Sequence, residues 1–357
     1  MAETKRIIRS APGRIALVGN PFDIYGGMTI SLTLRDLRSY VFLETNGLDH
    51  QEISSEIYRP GNNRSEQSRE LEHAVIEELD LQYDYFRLFD VSDMPYETGF
   101  ARSTAAVVAM LRAFNELFDL GIKQNEDIAE FAWRIERKLG VCGGQERYAI
   151  AHDEEELDKT LLEERIKDQG ERQIHDVTHS RPGRMFYMDF AGRENHRFDN
   201  NNYAIISELA VPDIRIAAAY GDFKKTSFSY HQKLRELYRN NQKARSIILK
   251  YRDRSVLVTH RALGELKRKN PDLHTLGDCM SESLDLRFMM FEELMSKGLF
   301  KYDLICKETL KMKGIAEENG AYGVNQPGSK SIIFLYNDEM PIKALGKKGY
   351  HIIRINN

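Results

Sequence analysis

Residues 11–27, APGRIALVGNPFDIYGG, set the strongest limit on what this chain can fold into. Ile15, Ala16, Leu17 and Val18 form an uninterrupted apolar run, and Gly19, Asn20 and Pro21 then break it. A short apolar run bounded by turn residues predicts a buried strand. Where such a strand stops, its exposed end delivers polar side chains to a place where a ligand can be held. Asp23, Tyr25, Gly26 and Gly27 stand at that end. A strand, a tight turn and a second strand from Met28 would account for the same residues with no ligand at all.

Around this stretch, IIRS, RIALVG, MTISLTL and YVFLETN read as strands, by alternation or by apolar run. SEQSRELEHAVIEELDLQ has the spacing of a surface helix, and a strand pair is expected over 84–92. AAVVAMLRAFNELFDLG predicts a helix from Ala105 closed by Gly121, and NEDIAEFAWRIERKLG a second one from Asn125 to Gly140. An inserted arm over 153–180 is dense in both charge signs, with Leu157, Leu161, Leu162 and Ile166 at helical spacing. RMFYMDF then resumes as a strand. The Asn-rich HRFDNNNY near 196–203 marks the expected boundary between domains of 1–200 and 201–357. Beyond it come a strand (IRIAAAYG), helices across 230–270, 281–296 and near 302–319, and the strands SIIFLY and HIIRIN. Strands and helices mixed without regular alternation predict an α+β fold rather than a doubly wound sheet.

At 357 residues the chain is long enough for two domains, each burying its own core. A net charge of -4 gives no electrostatic reason to expect nucleic acid as a partner. Cys142, Cys279 and Cys306 lack metal-binding spacing and are expected to be reduced thiols in a cytoplasmic setting. No apolar stretch approaches the length of a membrane span, and MAETKRIIRS lacks the apolar run of a signal peptide, so no membrane partner is expected. The oligomeric state is open.

Three further segments have the residue types of a reactive site. In TGFARSTA (98–105) a glycine-bearing loop feeds a helix N-terminus, which presents free N–H groups to an anion, commonly a phosphate. Ser103 or Thr104 would equally serve as the helix cap. Glu136 and Glu146 flank a Gly-rich turn in ERKLGVCGGQERY, and Glu136 alone reads as a helix-surface carboxylate paired with Arg or Lys. Residues 328–331, GSKS, brush against a Walker A pattern, but Gly and Lys are not adjacent and the spacing is wrong, which excludes a P-loop NTPase.

GNPFDIYGGMTISLTL resembles the first motif of the GHMP small-molecule kinases, which include galactokinase, homoserine kinase, mevalonate kinase and phosphomevalonate kinase. More narrowly it is similar to the opening of glucuronokinases and their sugar-1-kinase relatives. The resemblance extends from about residue 11 to 335 with one insertion. It implies a two-domain GHMP kinase fold, with an N-terminal domain like ribosomal protein S5 domain 2, a ferredoxin-like C-terminal domain and a site between them. It implies ATP and Mg2+, with Gly99, Ala101, Arg102, Ser103 and Thr104 along the phosphates. Ala101 and Arg102 depart from the glycine or small residue usual there. Gly328 and Ser329 match the third family motif, and Thr104 with Glu136 would hold the metal. Asn20, Asp23, Tyr25 and Arg287 would face the sugar, Arg287 from an Asp-x-Arg begun by Asp285. Arg14 would neutralise charge near the transferring group, and Glu146, standing for the usual aspartate in a segment one residue shorter, would orient or deprotonate the acceptor. The implied activity is phosphorylation of a sugar hydroxyl, the anomeric one of a uronic acid or related sugar. The alternative is a protein that kept the fold and the binding sites but lost turnover.

Overall fold

The structure, a computed structural model, describes residues 6–45, 66–81, 86–95, 98–139, 144–153, 177–192, 204–221, 228–301, 306–328 and 330–356. Its first half is built on two long antiparallel strands, β1 (Arg6–Val18) and β2 (Met28–Thr45). The four short strands expected over this region are therefore two. Pro12 and Gly13 do not end β1: the pairing register shifts between them and the ladder continues on both sides. Gly13 has no room for a Cβ, which would overlap Met94 and the carbonyl of Phe100, and Arg14 N–H donates to that same carbonyl at 2.9 Å. The close approach of another loop, rather than a turn, explains this glycine.

β2 also pairs with β3 (Phe86–Ser92) and β5 (Pro182–Asp189), and β5 pairs with β6 (Ile205–Leu209). The strand pair expected over 84–92 is the single strand β3. Among the described residues four helices accompany this sheet: α1 (Glu66–Glu78), α2 (Arg102–Phe118), α3 (Asn125–Lys138) and α4 (Gln145–His152). α2 starts at Arg102, three residues before the expected Ala105. Its residues from Thr104 to Leu111 are all buried, because it packs on β1 and β2 and is covered in turn by α1, α3 and α4.

The second sheet has the order β4 (His179–Ser180), β10 (His351–Ile355), β7 (Ile216–Tyr220), β9 (Ser331–Leu335), β8 (Gly323–Asn325). From β7 onward the chain runs strand, helices, strand, strand, helix, strand. The order β10-β7-β9-β8, antiparallel throughout, is the ferredoxin-like arrangement expected for this half. Its helices are α5 (Phe228–Asn240), α6 (Gln242–Leu266), α7 (Leu273–Ser296), α8 (Lys307–Glu318) and α9 (Met340–Lys347). The helical stretch expected across 230–270 is two helices parted at Asn241, whose side chain accepts from Ala244 N–H at 3.0 Å and so caps α6. α7 begins at Leu273 behind an Asp272 cap, eight residues ahead of the expected 281.

The boundary expected at 200/201 precedes β6, which still belongs to the first sheet, and the chain crosses to the second sheet over 210–215. β4, which precedes β5, pairs with β10 of the second sheet, so chain order and sheet membership are interleaved. Most of the charged arm (154–176), the segment 196–203 and Cys142 lie outside the described residues.

Candidate functional site

Arg14 sits at the centre of the site. It lies on β1, 2% exposed, and its Nη1 donates to the carbonyls of Gly99 (3.2 Å) and Pro327 (3.3 Å). Its Nη2 forms an ion pair with Glu146 Oε1. One guanidinium thus ties the 98–101 loop of the first half, the 326–328 turn of the second and the first turn of α4. Arg14 Nε and Glu146 Oε2 are buried with no partner among the described residues. Their unused hydrogen-bonding capacity is what a polar ligand would satisfy. The sequence predicts only a Gly-rich turn between Glu136 and Glu146, with no helix at α4. α4 is a short helix whose Tyr148, Ala149, Ile150 and Ala151 are buried, and it carries Glu146 to Arg14.

Asp23 lies in a 3-10 turn (Phe22–Tyr25) after β1 and is 1% exposed. Its Oδ2 accepts from the N–H groups of Gly144 (2.6 Å) and Gln145 (3.2 Å), so it caps α4. Oδ1 accepts nothing among the described residues, which leaves it for an acceptor. Burial pushes the Asp23 carboxyl up to about 6, Glu146 adds to the shift, and the two N–H donors and Arg14 oppose it. Asn20 donates to Gln326 O (2.8 Å), accepts from Asn325 Nδ2 (3.1 Å), and its carbonyl accepts Arg287 Nη2 (3.1 Å). These bonds hold the end of β1 against β8 and α7. Arg287 also donates to Gln326 Oε1 (3.1 Å) and makes no salt bridge among the described residues; burial lowers its pKa to about 10, against the opposing pull of the Asp23 charge. Asp285, two positions earlier on α7, points instead towards Lys313 at 4.0 Å, because residues two apart do not share a helix face. Tyr25 is the expected sugar-facing residue that the structure puts in the core. It is 1% exposed, its ring lies 4.8 Å from that of Tyr238, and its carbonyl accepts from Arg252 at 3.1 Å.

The loop over 98–101 meets the turn over 326–328 backbone to backbone. A Cβ on Gly99 or on Gly328 would overlap the other's main chain, and Gly99 has φ +82°. Ser331 Oγ donates to the carbonyl of Thr98 across the same contact. Ser329 lies outside the described residues. Ala101 has φ +61°, the left-handed conformation that a glycine takes freely and an alanine holds at about 1–2 kcal/mol. Arg102 does not point along the loop: its Nη1 donates to the carbonyl of Met94 at 2.9 Å.

No side chain caps α2. Ser103 and Thr104 donate their hydroxyls to Glu136 Oε1 instead, at 3.2 and 2.8 Å. The surface ion pair that the sequence allowed for Glu136 is not made. It is 1% exposed with no salt bridge among the described residues, and burial pushes its carboxyl up to about 7, with Glu146 adding to the shift. Two hydroxyls and one buried carboxylate at a helix N-terminus are hard oxygen donors. They suit Mg2+, which takes one or two carboxylates and completes its shell with phosphate oxygens and water. No group of three or more His, Cys, Asp or Glu gathers for a metal among the described residues.

The raised Glu136 carboxyl fixes a pH dependence. Between about 4.5 and 7 the folded chain holds a proton that the unfolded chain has released, so stability falls as pH rises through that window. Glu136→Gln removes the effect while keeping an oxygen for Thr104 and Ser103. Without added metal, its urea midpoint should exceed that of the wild type at pH 8 by the equivalent of up to about 3 kcal/mol, and match it near pH 4.5. Equal midpoints at both pH values would refute this.

Residues 72–154 match the family model of the GHMP kinases N terminal domain. D-glycero-alpha-D-manno-heptose 7-phosphate kinase of Campylobacter jejuni is 26% identical over 163 residues, covering 41% of this chain. The match spans 48% of that relative's length. The fold is similar to that of Lactococcus lactis galactokinase, solved in complex with galactose, with a TM-score of 0.65 at 13% identity over 99% of this chain and 93% of that one. It is also similar to Methanococcus jannaschii mevalonate kinase, with a TM-score of 0.62 at 14% identity over 98% of each chain. The family match is thus confined to residues 72–154, and the likeness to these solved structures is one of two-domain fold. No helix among the described residues is long and apolar enough to cross a membrane.

Proposed function

We propose that this chain, with its GHMP-type N-terminal domain and two-domain fold, is an ATP- and Mg2+-dependent kinase that phosphorylates a sugar hydroxyl. The observation that carries the reading is the Arg14–Glu146 pair, set where the 98–101 loop, the 326–328 turn and Asp23 converge. A cation for a transferring phosphoryl group and a carboxylate for the attacking hydroxyl belong side by side, because this reaction is accelerated by positioning and charge stabilisation.

In this reading the triphosphate lies along 98–104, where the uncapped N-terminus of α2 offers N–H donors and the positive end of its dipole. Thr104 and Glu136 hold Mg2+, which neutralises phosphate charge. Arg14 stabilises negative charge at the transferring group, Asp23 Oδ1 accepts from a sugar hydroxyl, and Glu146 orients or deprotonates the acceptor. The acceptor we favour is the anomeric hydroxyl of a uronic acid or related sugar. Its greater acidity relaxes the demand on Glu146, and Arg287, a buried cation with no salt bridge among the described residues, suits a sugar that carries an anion. The similarity to a heptose 7-phosphate kinase supports a sugar acceptor. A cytoplasmic setting, with no nucleic-acid or membrane partner, completes the proposal.

The left-handed Ala101 and the diversion of Arg102 to Met94 favour a second reading, in which the fold binds nucleotide or sugar without turnover. Calorimetric titration with Mg-ATP, followed by an ADP-release screen over uronic acids, hexoses and heptose phosphates, separates the two. Binding with ADP release on one sugar class is expected. Binding with no release on any would leave the second reading. Glu136→Gln should weaken Mg-nucleotide binding by at least about 10-fold, whereas Glu146→Gln should leave it within about twofold. Equal losses would remove the separate roles.

Asp23→Ala should abolish turnover. It should also lower stability by about 1 kcal/mol, because Gly144 and Gln145 lose their cap. Sugar turnover at the wild-type rate would place the acceptor elsewhere.

A further inference from the structure

Behind the site, on the side of α4 away from Arg14, lies a buried polar cluster that the proposed chemistry does not use. Glu130, on α3, is 8% exposed and accepts at Oε1 from the Tyr148 hydroxyl and from Arg147 Nη2 (3.4 Å), while its Oε2 is buried with no partner. Arg147 is 1% exposed, with its guanidinium carbon 5.3 Å from the Trp133 ring centroid and 5.1 Å from that of Tyr148. The Tyr148 oxygen also accepts from Ala204 N–H at 3.4 Å.

Stability gives little reason for such a cluster. A buried ion pair is often no better than apolar residues of the same volume, because desolvation offsets the attraction. What a buried, hydrogen-bonded pair does supply is direction. Successive helix residues lie 100° apart, so four in a row face every side of the axis. In α4 all four are gripped: Gln145 by Ser31 of β2 (3.0 Å), Glu146 by Arg14 of β1, and Arg147 and Tyr148 by Glu130 of α3. A short helix held on all sides can neither roll nor slide. α3 is also the helix that carries Glu136, so the grip fixes Glu146 relative to the carboxylate on the metal side.

We infer that Glu130 is a positioning residue, which through Arg147 and Tyr148 sets the roll of α4 and hence the aim of Glu146 at the acceptor hydroxyl. The assignment rests on the proposed role of Glu146.

Four proteins test it: the wild type, Glu130→Gln, Glu146→Gln and the double variant. Glu130→Gln should lower kcat about 10-fold with both KM values unchanged, since a shift well under 1 Å already slows transfer. Added to Glu146→Gln it should cost no further rate, because Glu130 acts only through Glu146. A loss that multiplies in the double variant, or one carried by KM, overturns the inference. Tyr148→Phe, which removes one hydroxyl and keeps the ion pair, should give a smaller kcat loss of the same kind, and it stands in where Glu130→Gln does not fold. A readout independent of turnover is hydrogen exchange at the amides of Gly144 and Gln145. It should quicken about 10-fold in Glu130→Gln relative to the wild type; unchanged exchange there also overturns the inference. Failure of the functional reading looks different, since then the wild type phosphorylates no sugar or Glu146→Gln turns over normally. In that event the exchange result still decides whether Glu130 holds α4.

Discussion

Glu146→Gln is expected to lower the maximal rate of sugar phosphorylation by roughly 10²-fold or more, with little change in either substrate's affinity. The carboxylate reaches Arg14 from the first turn of a helix whose roll is fixed, and its Oε2 has no partner among the described residues. Amide substitution keeps the shape and removes the charge that orients the hydroxyl. Glu146→Asp is the sharper comparison. The segment between α3 and α4 is one residue shorter than the resemblance implies, and we propose that the longer side chain of glutamate offsets the difference at Arg14. Aspartate at this place falls short by about 1 Å, enough to cost on the order of 10²-fold in rate. Both variants should therefore be nearly inactive while binding Mg-ATP normally. Higher activity in Glu146→Asp would mean that this is a degraded position. Unchanged turnover in both would take Glu146 out of the chemistry.

Gly99→Ala should be the most damaging single-methyl substitution in the loop. It meets two separate obstacles, a φ of +82° and the main chain of Gly328 where its Cβ would lie. Neither neighbour is a flexible side chain tip, so the 98–101 loop and the 326–328 turn must move apart. That movement also lengthens the bonds from Arg14 to the carbonyls of Gly99 and Pro327. Gly121→Ala is the matched control, with φ +71° and nothing within 4 Å of the added methyl. The control should lose about 1 kcal/mol in urea unfolding from conformational strain alone. Gly99→Ala should lose about 3 kcal/mol or more and bind Mg-ATP at least about 10-fold more weakly. Equal losses at the two positions would show that the Gly99–Gly328 contact carries no energy.

The role of Glu130 adds a constraint to any engineering of this site. Exchanging Glu146 for other acceptor-side groups changes the chemistry, but exchanging Glu130, Arg147 or Tyr148 changes the aim. The two kinds of variant should separate in a double-mutant cycle even where their single rates agree.

Local pattern was enough for some of this. The apolar run from Ile15 to Val18 stopped by Gly19 required a strand ending in a polar turn, and the Ala-rich α2 required a helix behind a glycine loop. Both signals are short-range: backbone preference and side-chain periodicity act within a few residues. The mixture of such segments also defined an α+β chain, while the ferredoxin-like second half was implied by the resemblance of the motifs and not by local pattern. Pairings between segments distant in sequence are not written in those preferences. Pro12 and Gly13 look like a strand end, yet β2 pairs with β1 on both sides of them, and only the approach of Phe100 explains the glycine. Asp285 and Arg287 look alike in the sequence, and the roll of α7 sends one to Lys313 and the other to Asn20. Tyr25 sits among site residues, but the packing of α5 against it places its ring in the core. Glu136 has the sequence context of a surface carboxylate and becomes a buried one because α2 brings Thr104 and Ser103 to it. α4 shows the difference most plainly. Eight residues behind a glycine pair are too few to hold a helix alone, good helix formers though most of them are, and Asp23, Ser31, Arg14 and Glu130, from three other strands and helices and a turn, fix that helix and aim it.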